Sequence, residues 1–276
     1  MDLIDVTLGR IPMQVSLRMT MAGVPHGFTT RQGGVSEGIY ASLNLGKNRG
    51  DDLDKVRENY SRVCSALGVE RDKLVFSNQV HGSGVRIVTA EDAGKGLDRR
   101  VDYEADGLVT NVEGLVLTVF GADCLTVLLC DPVHRAIGAV HAGWRGTAEN
   151  IVGQAVRTMK EAYGTRPEDL IAALGPCISR CCFETDEDVP EALHRKLGED
   201  VLPYLDGPGE GGKFRVDLKG INALLLQKSG VLREFTDISP DCTLCKPEKY
   251  WSHRYTKGER GSQAALIALP GEKVGA

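Results

Sequence analysis

The stretch that most constrains this chain is Leu125 to Val140, largely apolar and β-branched and broken by Asp131-Pro132-Val133-His134. Apolar runs of strand length around a cluster of turn-forming residues read as two buried strands joined by a turn. Similar runs occupy Val85–Val88, Gly107–Thr110, Leu115–Phe120, Leu170–Leu174 and Ala264–Leu269. Helical spacing appears in fewer places. Leu53, Val56, Tyr60, Val63 and Leu67 predict a helix over Asp51–Leu67, capped by Asp51 or Asp52 and stopped at Gly68. Ile151, Ala155 and Met159 predict a second over Thr147–Tyr163, with Thr147 as cap and Gly164 closing it. Asp217–Ser229 and Asp188–Leu197 complete the set. Strands outnumber helices and do not alternate regularly with them, which predicts an α+β fold over a doubly wound parallel sheet.

The net charge is −5, with both signs interspersed. A nucleic-acid partner requires a clustered basic face, and none is visible. The densest basic run, Lys95 to Arg100, is interrupted by Gly96, Leu97 and Asp98 and reads as a solvated loop. No apolar stretch reaches the roughly 18 residues of a transmembrane helix. Met1–Asp5 has neither a basic region nor an apolar run of a signal peptide, so a cytoplasmic chain is expected. In that compartment the eight cysteines serve as metal ligands, nucleophiles or small core residues. No repeat or linker interrupts the sequence, and Asp206–Lys213 reads as an exposed loop, so one domain over 1–276 is expected.

Three segments place metal-binding side chains where the chain changes direction. His81 precedes a glycine in Asn78-Gln79-Val80-His81-Gly82. Cys124 lies between two apolar runs in Gly121-Ala122-Asp123-Cys124. His141 ends a run, and the turn Ala142-Gly143-Trp144-Arg145-Gly146 follows it. Small residues flank all three, as expected where backbone approaches a ligand closely. Two histidines and one cysteine hold zinc while leaving a coordination position open. Zinc so held lowers the pKa of bound water and polarises a substrate atom.

The segments QVHG, ADC, AVHAGWRG, GPCISRCCFE and CTLC, with the C-terminal GERGSQAALIAL, resemble the YfiH (laccase-domain) family. The likeness begins near Phe28 and covers most of the chain. Members were first called polyphenol oxidases and later assigned purine nucleoside phosphorylase and adenosine deaminase activity. The resemblance implies a four-layer α/β/β/α sandwich, distantly like the catalytic domain of cytotoxic necrotizing factor. It implies zinc on His81, Cys124 and His141, with copper as an adventitious substitute. Purine nucleosides and phosphate are the implied partners.

Phosphorolysis needs an anion site. Arg31 beside Gly33-Gly34 and Arg145 near a helix start are the candidates for phosphate or ribose, and Asn44 matches a family motif. Asp123, next to the ligand cysteine, is a candidate orienter or proton carrier, and Glu184 a candidate general acid or base. The usual arginine before Gln263 is Ser262 here, with Arg260 available to replace its charge, and His253 stands where tyrosine is common. Cys242-Thr243-Leu244-Cys245 has zinc-ribbon spacing, but Cys177, Cys181 and Cys182 do not form a second CxxC pair. These thiols are expected to be buried near the active site.

Other readings use the same residues. Cys124 with His141 or His81 makes a cysteine hydrolase, for instance an amidase acting on cell-wall precursors. A copper-dependent phenol oxidase is disfavoured by six histidines without a His-x-His pair. A metal-stabilised binding module fits poorly with Gly-rich, Arg-bearing surroundings.

Overall fold

A computed structural model describes residues 1–271; residues 272–276 of the expected 1–276 span lie outside the described residues. Strands follow the chain as β1 (Ile4–Leu8), β2 (Ile11–Val15), β3 (His26–Thr29), β4 (Leu74–Val75) and β5 (Val85–Ile87). Then come β6 (Gly107–Thr110), β7 (Val116–Gly121), β8 (Leu125–Asp131), β9 (Ala136–Ala142) and β10 (Ile171–Leu174). The short β11 (Glu184–Thr185), β12 (Leu205–Asp206) and β13 (Phe214–Val216) precede β14 (Thr236–Ile238) and β15 (Gln263–Ala268). The helices are α1 (Leu17–Met21), α2 (Leu53–Leu67), α3 (Trp144–Ala148), α4 (Ile151–Tyr163), α5 (Asp188–Leu197), α6 (Leu218–Lys228) and α7 (His253–Thr256).

Two six-stranded sheets form the centre, ordered β1-β2-β3-β15-β7-β4 and β14-β10-β8-β9-β6-β5. Both are mixed: β4–β7, β5–β6 and β10–β14 run parallel and the other neighbours antiparallel. The pairing of β8 with β9 is the hairpin expected for Leu125–Val140. Its turn is fixed by Asp131, whose Oδ1 accepts from the backbone N–H of Val133 and His134.

Side-chain alternation makes four layers of these two sheets. Leu125, Val127 and Leu129 of β8 face the helices, in one core with Ile151, Ala155 and Met159 of α4 and Ile221 and Leu225 of α6. Leu128 and Cys130 face the other way, meeting Leu117, Val119, Ala265 and Ile267 of the second sheet. Ala264, Leu266 and Ala268 of β15 then face outward onto Val56, Tyr60 and Val63 of α2. The result is the expected α+β sandwich, helices–sheet–sheet–helix. Each fully buried Val or Leu contributes roughly 1.5–3 kcal/mol, so the inter-sheet layer is a principal source of stability.

Helix ends follow the predicted signals at α2, where Asp52 accepts from Asp54 N–H and Gly68 closes in the left-handed region. At α6, Asp217 caps Gly220 N–H. One prediction is corrected. The helix expected from Thr147 is two helices, α3 and α4, separated at Asn150 with φ +55°. Asn150, tolerant of that conformation, caps α4 through Gly153 N–H. Thr147 lies inside α3, where its hydroxyl accepts from Asn222.

Candidate active site

The three predicted donors arrive from both sheets. Cys124 lies where the chain leaves β7 of one sheet and enters β8 of the other. His141 is near the end of β9, opposite Thr126 in register. His81 is on the loop between β4 and β5. Their donor atoms all lie within 4.8 Å of one another, and the two imidazole rings meet edge-on at 4.8 Å. His81 and Asp123 both hold positive φ, 59° and 84°. Non-glycine residues reach that region at a cost and persist where their surroundings force it, frequently at functional sites.

The donor set fits a metal ion. A Cβ at Gly143 would lie 3.3 Å from the His81 ring, 3.4 Å from Cys124 Sγ and 3.6 Å from the His141 ring. Glycine therefore keeps open the space that the three donors surround. Gly146 does similar service for the backbone, because a Cβ there would meet the Gly82 carbonyl at 2.7 Å. Both glycines thus lie where backbone and the three donors approach closely.

Asp106, which sequence reasoning missed, organises the cluster. Buried just before β6, it bonds His141 Nδ1 at 2.8 Å and accepts from the backbone N–H of Val80, His81 and Gly82. One carboxylate thus fixes the His141 ring and the loop carrying His81, the outer-shell arrangement that raises ligand basicity. Burial works to raise the Asp106 carboxyl, but the His141 and backbone hydrogen bonds prevail and hold it below the usual range. Burial likewise opposes ionisation of Cys124, yet His141 and His81 bring its thiol down to about 6. Burial opposes charge on His141, which Cys124 and Asp106 raise to about 9. Cys124 and His141 therefore each favour the charged form of the other, thiolate and imidazolium.

The donors open into a cavity of about 690 Å³, within the size range of small-molecule sites. Phe76 and Phe120 supply apolar wall, and Lys47, Arg49, His253 and Arg260 supply polar groups. Gln79 fixes the wall by bonding both the N–H and the carbonyl of Phe120. Lys47 is tied to the carbonyls of Gly96 and Leu97. Arg260 differs: it is buried, it bonds the Gly261 carbonyl and the Ser262 hydroxyl, and its Nε has no partner among the described residues. Burial and the nearby Arg49 charge lower it to about 10. Ser262, where the sequence departs from the usual arginine, thus contacts the arginine two residues earlier.

Other predicted residues are placed differently. Asp123 lines the cavity, but its two oxygens accept from Thr243 Oγ1 and Arg254 N–H, so it anchors the turn that presents Cys124. Asn44 is buried behind the wall, where its Oδ1 accepts from Gly46 and Ser262 N–H. Arg31 is outside the cavity lining: it bonds the carbonyls of Ala41 and Pro247 and stacks 4.0 Å over Trp251. Arg145 is exposed in α3, over the Trp144 ring at 4.2 Å, and does not line the cavity. Glu184 is also exposed and pairs with Arg215 at 2.9 Å. The expectation that the CTLC cysteines are simply buried thiols needs correction: Cys245 and Cys181 are exposed, and Cys181, Cys182, Cys242 and Cys245 gather into a second cluster.

Residues 25–270 match the family described as multi-copper polyphenol oxidoreductase laccase. The chain is 40% identical over 255 residues to a protein of Deinococcus radiodurans named purine nucleoside phosphorylase, covering 92% of each. It is 35% identical over 252 residues to purine nucleoside phosphorylase YlmD of Geobacillus stearothermophilus, covering 89% of this chain and 90% of that one. Among solved structures, a Bacillus licheniformis hypothetical protein YfiH superposes with a TM-score of 0.90 at 31% identity, covering 96% of this chain and 98% of that one. YlmD from Geobacillus stearothermophilus superposes with a TM-score of 0.87 at 31% identity, covering 98% and 100%. By sequence and by fold, the chain belongs to this laccase-domain family, the YfiH family that its QVHG, ADC and AVHAGWRG segments resemble.

Proposed function

We propose that the chain is a zinc-dependent purine nucleoside phosphorylase that cleaves adenosine, inosine or methylthioadenosine with phosphate and also deaminates adenosine. The observation that carries this reading is the pairing, in one cavity, of an open three-donor cluster with a buried arginine that forms no ion pair among the described residues. The purine nucleoside phosphorylase names of the relatives support the same reaction class. Among the described residues no helix is long and apolar enough to cross a membrane.

His81, Cys124 and His141 would hold the zinc, which when bound supplies a Lewis acid and an activated water. The protein's residues do the rest. A guanidinium desolvated beside a second cation attracts an anion and binds it by charge-assisted hydrogen bonds. Arg260, with Arg49 beside it, therefore holds phosphate on the cavity wall. Phe76 and Phe120 offer the apolar surface a purine ring requires. Asp106 holds the proton on His141 Nδ1, which leaves Nε2 as the ligating atom. Closely placed cations at the phosphate site also keep the anion desolvated and oriented, which favours attack at C1′ as the ribose becomes oxocarbenium-like.

One observation supports a second reading. The Cys124–His141 thiolate–imidazolium pair, with Asp106 behind His141, has the parts of a cysteine nucleophile, its base and its orienter. A phenol-oxidising copper cluster finds less support, because His26, His134 and His194 are engaged elsewhere, with Ser16 N–H, Asp131 and Glu199. The test incubates metal-analysed protein with adenosine, with and without phosphate, and resolves products by chromatography. Adenine released only with phosphate, inosine formed in either buffer, and loss of both on chelation support the proposal. No product from any of the three nucleosides contradicts it. Turnover of an amide that survives chelation supports the hydrolase instead.

A further inference from the structure

We propose a second metal site, a closed four-thiolate zinc centre formed by Cys181, Cys182, Cys242 and Cys245. It is independent of the reaction proposed above. The four sulfurs come from segments some sixty positions apart and all lie within 4.8 Å of one another. Cys245 Sγ is 3.7 Å from Cys181 Sγ and 3.3 Å from Cys182 Sγ. A tetrahedral zinc with Zn–S bonds of about 2.3 Å places its sulfurs about 3.8 Å apart, so these spacings are close to those of a ligand shell. A disulfide needs sulfurs at about 2.05 Å, and two disulfides within this group would require moving all four side chains.

The backbone around the thiols is built for ligation. Cys182 and Phe183 N–H both bond the Ser179 carbonyl, folding a tight turn that presents two adjacent cysteines. The CTLC segment makes the opposing turn, with Lys246 N–H bonded to the Cys242 carbonyl. Ser179 N–H points at Cys242 Sγ at 3.4 Å, and the N–H groups of Leu244 and Cys245 converge on the same sulfur. Such N–H donors offset the negative charge that four thiolates concentrate on one ion. Arg215 adds a cation close to Cys181 and Cys182. Soft thiolates in a tetrahedral set select zinc over hard divalent cations.

The position gives the centre a task. Cys177 and Cys242 form a parallel β-bridge, so the two cysteine segments already lie side by side. The first carries Ile178 and Phe183 of the cavity wall. The second carries Thr243, whose hydroxyl holds the Asp123 carboxylate beside Cys124. A zinc bridging them clamps the rear of the cavity and fixes the turn that presents Cys124.

The test measures bound zinc on the full chain, purified under reducing conditions, loaded with zinc and desalted. Wild type retains two ions per chain, Cys245→Ser retains one, and Cys124→Ala retains one. Cys181→Ser, also at the exposed edge, gives the same result should Cys245→Ser fold poorly. Loading the unaltered protein also protects four thiols from alkylation in addition to Cys124, and cobalt replacement gives the intense visible absorption of a tetrahedral thiolate complex. A wild-type chain with one ion, lost in Cys124→Ala and unaffected by Cys245→Ser, overturns the proposal. So does an intact mass lower by two or four hydrogens with no second ion, which identifies disulfides in place of a metal.

Discussion

Among the described residues two clusters gather cysteine and histidine donors, and they differ in closure. His81, Cys124 and His141 are three, they surround a space kept clear by Gly143, and they face a cavity of about 690 Å³. Cys181, Cys182, Cys242 and Cys245 are four, they face one another at an edge where Cys181 and Cys245 are exposed, and backbone N–H groups meet Cys242 Sγ. Three protein ligands leave a position for water or substrate, and four thiolates do not. The comparison teaches that ligand number and what lies in front of the ligands separate chemistry from bracing, although the donor types overlap. The supporting groups differ accordingly. Asp106 tunes and orients the open cluster through His141, whereas the closed one is held by the turns that carry it.

The largest effect expected is at the open cluster. Cys124→Ala removes a ligand and should lower kcat/KM for adenosine phosphorolysis by about 10³-fold, read by adenine release. Asp106→Asn keeps the shape but loses the charge behind His141. Metal affinity or kcat/KM should fall by about 10–100-fold, measured by competition with a chelator and by kinetics. Arg260→Gln should raise KM for phosphate by about 10-fold and leave KM for adenosine near its wild-type value, as loss of one charge-assisted contact predicts. An equal change in both would place Arg260 in general support of the cavity.

Acid sharpens the comparison further. In the folded chain the Cys124 thiol titrates at about 6, below its ordinary value of 9.0, so it is thiolate above that pH and protonated below it. Metal affinity at the open cluster should therefore fall as pH drops below about 9, where His141 takes up a proton, and more steeply below about 6, where Cys124 does so too. In metal-free protein, alkylation of Cys124 should rise with pH through the same value. The smallest effect is at the closed cluster. Cys245→Ser should lower Tm by about 5–10 °C under saturating zinc and, by loosening the Cys124 turn, cost turnover far less than Cys124→Ala does. A loss of turnover as large as that of Cys124→Ala would erase the distinction.

Much of the open cluster was legible in sequence because its signals are local. Each ligand sits among small residues at a change of chain direction, and the apolar runs on either side of Cys124 predicted β7 and β8. Helices α2 and α6 were legible for the same reason, since Asp52, Gly68 and Asp217 act on their own neighbours. Asp106 was not, because its partners His141 and His81 lie 35 and 25 residues away and nothing around it differs from an ordinary loop acid. The four-cysteine cluster escaped for a related reason: it joins a vicinal pair to a CxxC pair, which no single spacing rule connects. Strand β1 was missed because exposed positions dilute the apolar pattern of IDVTL, and β2 because Pro12 and the buried Gln14 interrupt that of IPMQV. Arg31 looked like an anion ligand from its glycine neighbours and Arg145 from the helix start beside it, whereas only packing revealed that they stack on Trp251 and Trp144.

The most direct test of the central claim titrates zinc into metal-free protein while following adenine release from adenosine and phosphate. Wild type and Cys245→Ser should both gain activity in proportion to occupancy of the His81–Cys124–His141 cluster, and Cys124→Ala should stay inactive at every zinc concentration. Activity that instead follows zinc bound in Cys124→Ala, or that is full in wild type before any metal is added, would contradict the account.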